Sequence, residues 1–349
     1  MRNVFLALLF SCFVALTFAR NDNERILAKG EQPQVSIDTK GTVRIVFGEE
    51  DKIYCSTSTD NGLSFSVPVL VAEIPNMHLG MTRGPQLASS GKYSIITAVD
   101  EAGSIHAFKL DHNTNKWEKI GLVNDSTGSG PEGLMSIAAD ERDNFYAAWL
   151  DIRIGKRNNI FFSSLAGNKS KWTKNTLAYK SPEGNVCECC KPTIAVKGSK
   201  VAIMFRNWLQ GARDLYLVQS LNKGKDFSKA QKLGIGTWKL SGCPMDGGAI
   251  AIDESGDIHT AWRREGSVFY CRPGEIEREA GLGRGVSLAL QHNNPVVLLQ
   301  AKEQVKAVGL QNNQEQVIGE GGFLKSVTTS DDKTIYVWEQ AKQIKFARR

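Results

Sequence analysis

Arginines, acids and cysteines fall at matching positions along the chain, and each type could do chemistry there. Arg83, Arg153, Arg206, Arg213, Arg263 and Arg264 each lie beside the start or end of a short apolar run. An arginine fork binds a planar anion through two hydrogen bonds, so such a set could hold a carboxylate- or sulfate-bearing ligand. Arg206, Arg263 and Arg264 follow equivalent runs and could converge on one acid group. Glu132, Asp151 and Asp246 share those positions and are the candidate acids if the site is catalytic. The same residue types also tie loops together. Asp151 and Arg153, two residues apart, suit an ion pair as well as a ligand site.

The cysteines form a second constellation. Of 7 Cys, Cys12 lies in the apolar N-terminal stretch. The others are Cys55, Cys187, Cys189, Cys190, Cys243 and Cys271, an even number that suits disulfides in an exported chain. Cys187, Cys189 and Cys190 precede one repeat unit and Cys243 precedes the next, so these four should be close in space. At least one disulfide from Cys243 to Cys187, Cys189 or Cys190 is expected. The alternative is a soft-metal site for Cu(I) or Zn, with Met245 as a further ligand. The 5 His show no ligand spacing, and no cofactor is implied. Cys55 and Cys271 end third strands of non-neighbouring units, which argues against a bond between them.

Short β-rich runs separated by Gly, Asp and Asn turns position all of these residues. One unit reads Thr193–Val196, Val201–Phe205, Asp214–Val218; the same order recurs from Val35, Ser136 and Ala249. Further units begin near Gln86, Ser287 and Lys325. Self-similarity at roughly 40 to 60 residues, with about four strands per unit, predicts an all-β propeller. The count favours seven blades, with six as the alternative. Arg25-Ile26-Leu27-Ala28 precedes the first unit and could supply the outer strand of the last blade, closing the ring.

Ser58-Thr59-Asp60-Asn61-Gly62-Leu63-Ser64-Phe65 fits Ser-x-Asp-x-Gly-x-x-aromatic, the Asp-box pattern. Ser58, Asp60, Gly62 and Phe65 are its structural residues; the carboxylate caps the turn and Gly takes a positive φ. Ser220, Asn222, Gly224 and Phe227 repeat it with Asn for Asp, and a degraded copy runs from Ser164 to Trp172. These turns join strands three and four. The loops before strand one and after strand two lie on the opposite face, and there the arginines, acids and cysteines collect.

Composition bounds the rest. Residues 1–19 read as a signal peptide, with Arg2, an apolar stretch from Val4 to Phe18 and a cleavage site at Thr17-Phe18-Ala19. A lipid-anchor reading at Cys12 fits poorly, because the apolar run continues past it. A secreted or periplasmic protein is expected, with residues 20–349 as one propeller domain. The net charge of +6 is mild and the basic residues are scattered, which argues against nucleic acid. No later segment reaches membrane-spanning length.

The Asp-box pattern and four-strand units resemble the sialidase-like, BNR-repeat propellers over nearly all of the mature chain. Ala148-Trp149-Leu150-Asp151-Ile152-Arg153 and Gly242-Cys243-Pro244-Met245-Asp246-Gly247-Gly248 are also similar to exported bacterial proteins often labelled exo-α-sialidase. The resemblance implies a substrate carboxylate held by three arginines, a Tyr nucleophile paired with a Glu, and an Asp acid/base. The chain departs from it: Arg25-Ile26-Leu27 stands where Arg-Ile-Pro would, and Tyr54, Tyr216 and Tyr270 lie on strands. The expectation is therefore an exported propeller that binds an anionic glycan or other carboxylate-bearing ligand. The alternatives are an active glycoside hydrolase of exo-α-sialidase type, or a metal- or protein-binding propeller built on the cysteines.

Overall fold

The computed structural model describes residues 24–349, all in strands and turns with no helix among them. Residues 1–19, read above as a signal peptide, and Cys12 among them lie outside the described residues. No described helix is long and apolar enough to cross a membrane. Seven four-stranded antiparallel sheets form a seven-bladed β-propeller, which sets six blades aside. The inner strands are Glu31–Ile37, Gln86–Ser89, Met135–Ala139, Thr193–Lys197, Gly248–Ile252, Arg284–Gln291 and Gly322–Thr328, for blades 1 to 7. Each inner strand packs on the next, and the seventh packs on the first.

Second strands explain the apolar runs in the sequence. Asn144–Asp151 is buried at every position after its first, because blades 2 and 4 cover both faces of blade 3. A strand covered on both sides reads as a continuous apolar run rather than an alternating one. Seven core clusters follow from the same geometry, one at each interface between blades. Trp149 and Trp338 are the largest fully buried side chains among them.

Arg25–Lys29 pairs antiparallel with Gln343–Arg348 and becomes the outer strand of blade 7. The first described strand thus closes the ring against the last and covers the edge that Gln343–Arg348 would otherwise expose.

The two turns at Ser58 and Ser220 have the same bonding. Asp60 Oδ1 accepts from Ser58 Oγ at 2.7 Å and from the Ser64 amide at 3.0 Å. Asn222 Oδ1 accepts from Ser220 Oγ at 2.8 Å and from the Asp226 amide at 3.2 Å. Gly62 and Gly224 have φ of +78° and +83°, and a Cβ on either would press into Ile335 or Phe162 of the adjacent blade. The aromatic residues also reach across: Phe65 meets Phe346 edge-on at 4.9 Å, and Phe227 meets Phe162 at 5.2 Å. Each turn therefore clamps its blade to the preceding one rather than to its own sheet.

Asp60→Ala should lower stability by roughly 1–2 kcal/mol, the usual loss for a capping oxygen, and leave any ligand binding on the opposite face unchanged. Bonds from the Ser64 hydroxyl and amide and the Ser58 hydroxyl hold the Asp60 carboxyl at about 2. Its contribution should be complete above about pH 4 and fade as pH falls toward the folded value. Urea melts of wild type and variant across that range, with binding measured in parallel, provide the check.

Candidate functional site

The inner strands enclose a channel cavity of about 310 Å³, lined in part by Gln86, Ser136, Lys191, Thr193, Asp246, Ser287, Lys325 and Ser326. It opens into a mouth of about 560 Å³ that shares Thr82, Met245, Asp246, Gly285 and Phe323 with it. Arg263, Arg284, Gln300 and Glu339 complete the polar wall of the mouth. Such volumes fall in the usual range for small-ligand sites.

Two ammonium groups dominate the channel. Lys191 Nζ donates to Gln86 Oε1 at 3.0 Å, and Lys325 Nζ donates to Ser287 Oγ at 3.1 Å. Both partners are neutral oxygens. Each side chain is open to the channel yet walled by protein, so the charged forms are poorly solvated. Burial, with added repulsion from Lys325, brings Lys191 down to about 7. Burial brings Lys325 down to about 8, opposed by the Asp246 charge. Burial raises Asp246, against the pull of Arg206, Arg263 and the Gly285 amide, which donates to Asp246 Oδ2 at 3.0 Å. The hydroxyls of Ser136, Thr193 and Ser326 line the same cavity with no protein partner. An anion placed here would satisfy two cations and several donors at once.

The mouth loops hold unusual backbone. Met81, Thr82, Met245 and Phe323 all have φ between 51° and 69°. These side chains are bulky or β-branched, so positive φ carries strain, and strain of this kind collects at ligand sites.

The six arginines are not gathered at the mouth. Arg206 is 1% exposed and donates to three backbone carbonyls: Asp246 at 3.1 Å, Arg213 at 2.6 Å and Arg263 at 2.8 Å. It ties two loops and a strand end together and has no fork left for a ligand, which corrects the sequence expectation. Arg264 pairs with Glu277 at 2.6 Å and lies over Phe269. Arg153 pairs with Asp151 and Asp125 and stacks on Phe161. Arg83 donates to the Glu132 carbonyl at 2.6 Å, joining two loops. Arg213 donates to Cys187 Sγ. Only Arg263 of the set lines the mouth, where its Nε donates to the Glu265 carbonyl at 2.6 Å.

The acids divide in the same way. Asp151 is fully buried and accepts from Trp149, Ser129 and Arg153, so it is a structural anchor and no candidate acid. Glu132 lies outside both cavities and accepts from Asn158. Asp246 alone faces the channel. No tyrosine lines either cavity among the described residues.

Sequence reasoning missed Lys191, Lys325, Arg284 and Glu339 as site residues. The signal was present. Lys191 stands two residues before the blade 4 inner strand, and Lys325 lies within that of blade 7. An ammonium where the other inner strands carry neutral residues such as Gln34, Gln86 and Ser287 marks the channel wall.

The cysteine expectation is met in one respect: Cys189 and Cys243 form a disulfide between the loops that lead into blades 4 and 5. Cys55, Cys187, Cys190 and Cys271 are free and buried.

No family model matches the sequence, and no curated protein matches it. Solved structures do. An ulvan lyase, described as a new family of polysaccharide lyase, is 9% identical, with a TM-score of 0.58 over 92% of this chain and 94% of that one. The lectin SapL1 in complex with α-methyl fucoside is 11% identical, with a TM-score of 0.55 over 84% of this chain and 97% of that one. A Hadza microbial sialidase is 10% identical, with a TM-score of 0.53 over 92% of this chain and 65% of that one. At these identities the likeness is one of fold, and function has to be argued from the site.

Proposed function

We propose that this propeller binds a carboxylate-bearing glycan at the mouth and upper channel, without turning it over. The supporting observation is the pair of ammonium groups, Lys191 and Lys325, each donating only to a neutral oxygen in a walled channel. An anion there would be worth roughly 1.5–3 kcal/mol per charge-assisted bond. Unpartnered hydroxyls in the same wall suit a polyhydroxylated ligand, and Phe323 offers an apolar surface for a sugar ring. The fold is one that a lectin, a sialidase and a polysaccharide lyase also use. The signal-like N-terminus supports a place outside the cytoplasm.

Glycoside hydrolysis is the second reading, favoured by Asp246, whose buried carboxyl is raised toward the protonated form. It would need a second carboxyl or another nucleophile across the bond. Glu339 is the carboxyl in the mouth wall, and it already accepts from the Gln32 amide at 2.8 Å. The test pairs calorimetric binding of neutral and acidic oligosaccharides with turnover of fluorogenic glycosides, a sialoside included. Binding of acidic sugars without turnover is expected. Turnover that is lost in Asp246→Asn would hand the site to the hydrolase. Absence of binding to any acidic sugar would remove both readings.

A further inference from the structure

Four sulfurs meet where the loops leading into blades 4 and 5 cross, and one bond does not account for them. Cys189 and Cys243 are joined, with Cα atoms 6.2 Å apart. Two free thiols pack against that bond. Cys187 Sγ lies 3.7 Å from Cys189 Sγ and 3.4 Å from Cys190 Sγ, and Cys190 Sγ lies 3.8 Å from Cys189 Sγ. Cys187 and Cys190 are spaced as a Cys-x-x-Cys pair. Arg213 Nη1 donates to Cys187 Sγ at 3.0 Å, and its guanidinium lies over Trp208 at 4.7 Å, which holds it in place. At the other end, Cys243 is exposed and lines the mouth. The disulfide thus has one sulfur against two buried thiols and the other residue open to solvent.

We propose that Cys187, Cys189, Cys190 and Cys243 form a thiol–disulfide exchange site, which passes electron pairs between the buried Cys187/Cys190 pair and an external thiol or organic disulfide at Cys243.

The steps balance without another oxidant. Cys187 thiolate attacks Cys189 Sγ; the Cys187–Cys189 bond forms as Cys189–Cys243 breaks, and Cys243 leaves as thiolate. The Cys190 proton passes to Cys243. Cys190 thiolate then attacks Cys187 Sγ, forming Cys187–Cys190 and releasing Cys189 as thiolate. Cys187 and Cys190 are oxidised, and Cys189 and Cys243 are reduced. One negative charge and one thiol proton stand on each side. Cys243, once deprotonated, attacks an external disulfide, giving a mixed disulfide and one free thiolate. Cys189 thiolate closes on Cys243 Sγ, releasing the second thiolate and restoring the starting bond. The net reaction oxidises the buried pair and reduces the external disulfide; run backwards, it oxidises two external thiols.

The electrostatics agree with this order of attack. The Cys190 thiol and the Arg213 and Arg206 guanidinium groups bring Cys187 down to about 7 against the effect of burial. Burial pushes Cys190 well above its ordinary range. Cys187 is therefore the more acidic thiol of the pair and the first to attack, and Cys190 follows it. A purely structural disulfide would need only Cys189 and Cys243. It would give no reason for an arginine N–H aimed at a third sulfur.

The test equilibrates the purified protein in dithiothreitol buffers of graded oxidised-to-reduced ratio. Free thiols are trapped by alkylation, and bonds are mapped by mass spectrometry. A species with a Cys187–Cys190 bond and alkylated Cys189 and Cys243 is expected at intermediate ratios. Arg213→Gln should slow alkylation of Cys187 by about tenfold or more while Cys189–Cys243 still forms. Cys189–Cys243 as the sole bond at every ratio, with Cys187 and Cys190 always alkylated, would overturn the proposal. So would protein as purified that carries four free thiols and one stoichiometric metal ion, since these sulfur spacings also suit thiolates around a metal.

Discussion

Arg206→Lys should cost the fold about 2–4 kcal/mol and leave ligand affinity unchanged in the protein that remains folded. The guanidinium donates to the carbonyls of Asp246, Arg213 and Arg263, which come from three separate backbone segments. An ammonium keeps the charge but cannot reach three separated acceptors in one plane. At least one buried carbonyl would lose its donor, and a buried unmatched acceptor is costly. The Trp238 ring, which Arg206 faces at 5.4 Å, would lose its cover as well. Urea unfolding gives the stability, and calorimetry below the melting temperature gives the affinity. An intact stability with weakened binding of an acidic sugar would restore Arg206 to the ligand site and displace the structural assignment.

That residue also shows where a sequence stops being informative. The blades were legible because strand, turn and strand recur, and each recurrence records a local need. Second strands are apolar because neighbours cover both faces. The closing strand at Arg25–Lys29 was legible because a β-rich run with no unit of its own must find an edge. The turns at Asp60 and Asn222 were legible because a capping oxygen, a positive-φ Gly and an aromatic sit at fixed offsets. Side-chain destinations across blades carry no such local mark. Arg206 and Arg263 lie at the ends of equivalent second strands, last and next to last, yet one is enclosed by carbonyls contributed 40 and 57 residues away, while the other lines the mouth. Asp151 reads in the sequence as a candidate acid, yet Trp149 and Arg153 beside it capture its oxygens. That Cys243 would bond within the Cys187–Cys190 cluster was legible from topology, since both loops lead into adjacent inner strands; which of the three cysteines it takes was not.

Lys191→Met and Lys325→Met should each weaken binding of a carboxylate-bearing ligand by at least about tenfold, or ~1.4 kcal/mol, while raising thermal stability. The two effects share one cause. An ammonium held in a walled channel is poorly solvated, so burial depresses Lys191 to about 7 and Lys325 to about 8. In the unfolded chain a lysine titrates near about 10.4, so between the two values the unfolded state binds more protons and stability rises with pH. The cost of the charged lysine is complete below the folded value, and the gain from Met is therefore largest at pH 6 and shrinks toward pH 10. Ligand binding runs the other way. A bound anion favours the ammonium form, so protons are taken up on binding, and wild-type affinity should fall as pH rises through 7 and 8. Calorimetry from pH 6 to 9, in buffers of different ionisation enthalpy, reads both the affinity and the proton uptake. Affinity that is flat across this range, together with Met variants that bind as wild type does, would show that the anion is held by Arg263 and Arg284 at the mouth and not in the channel.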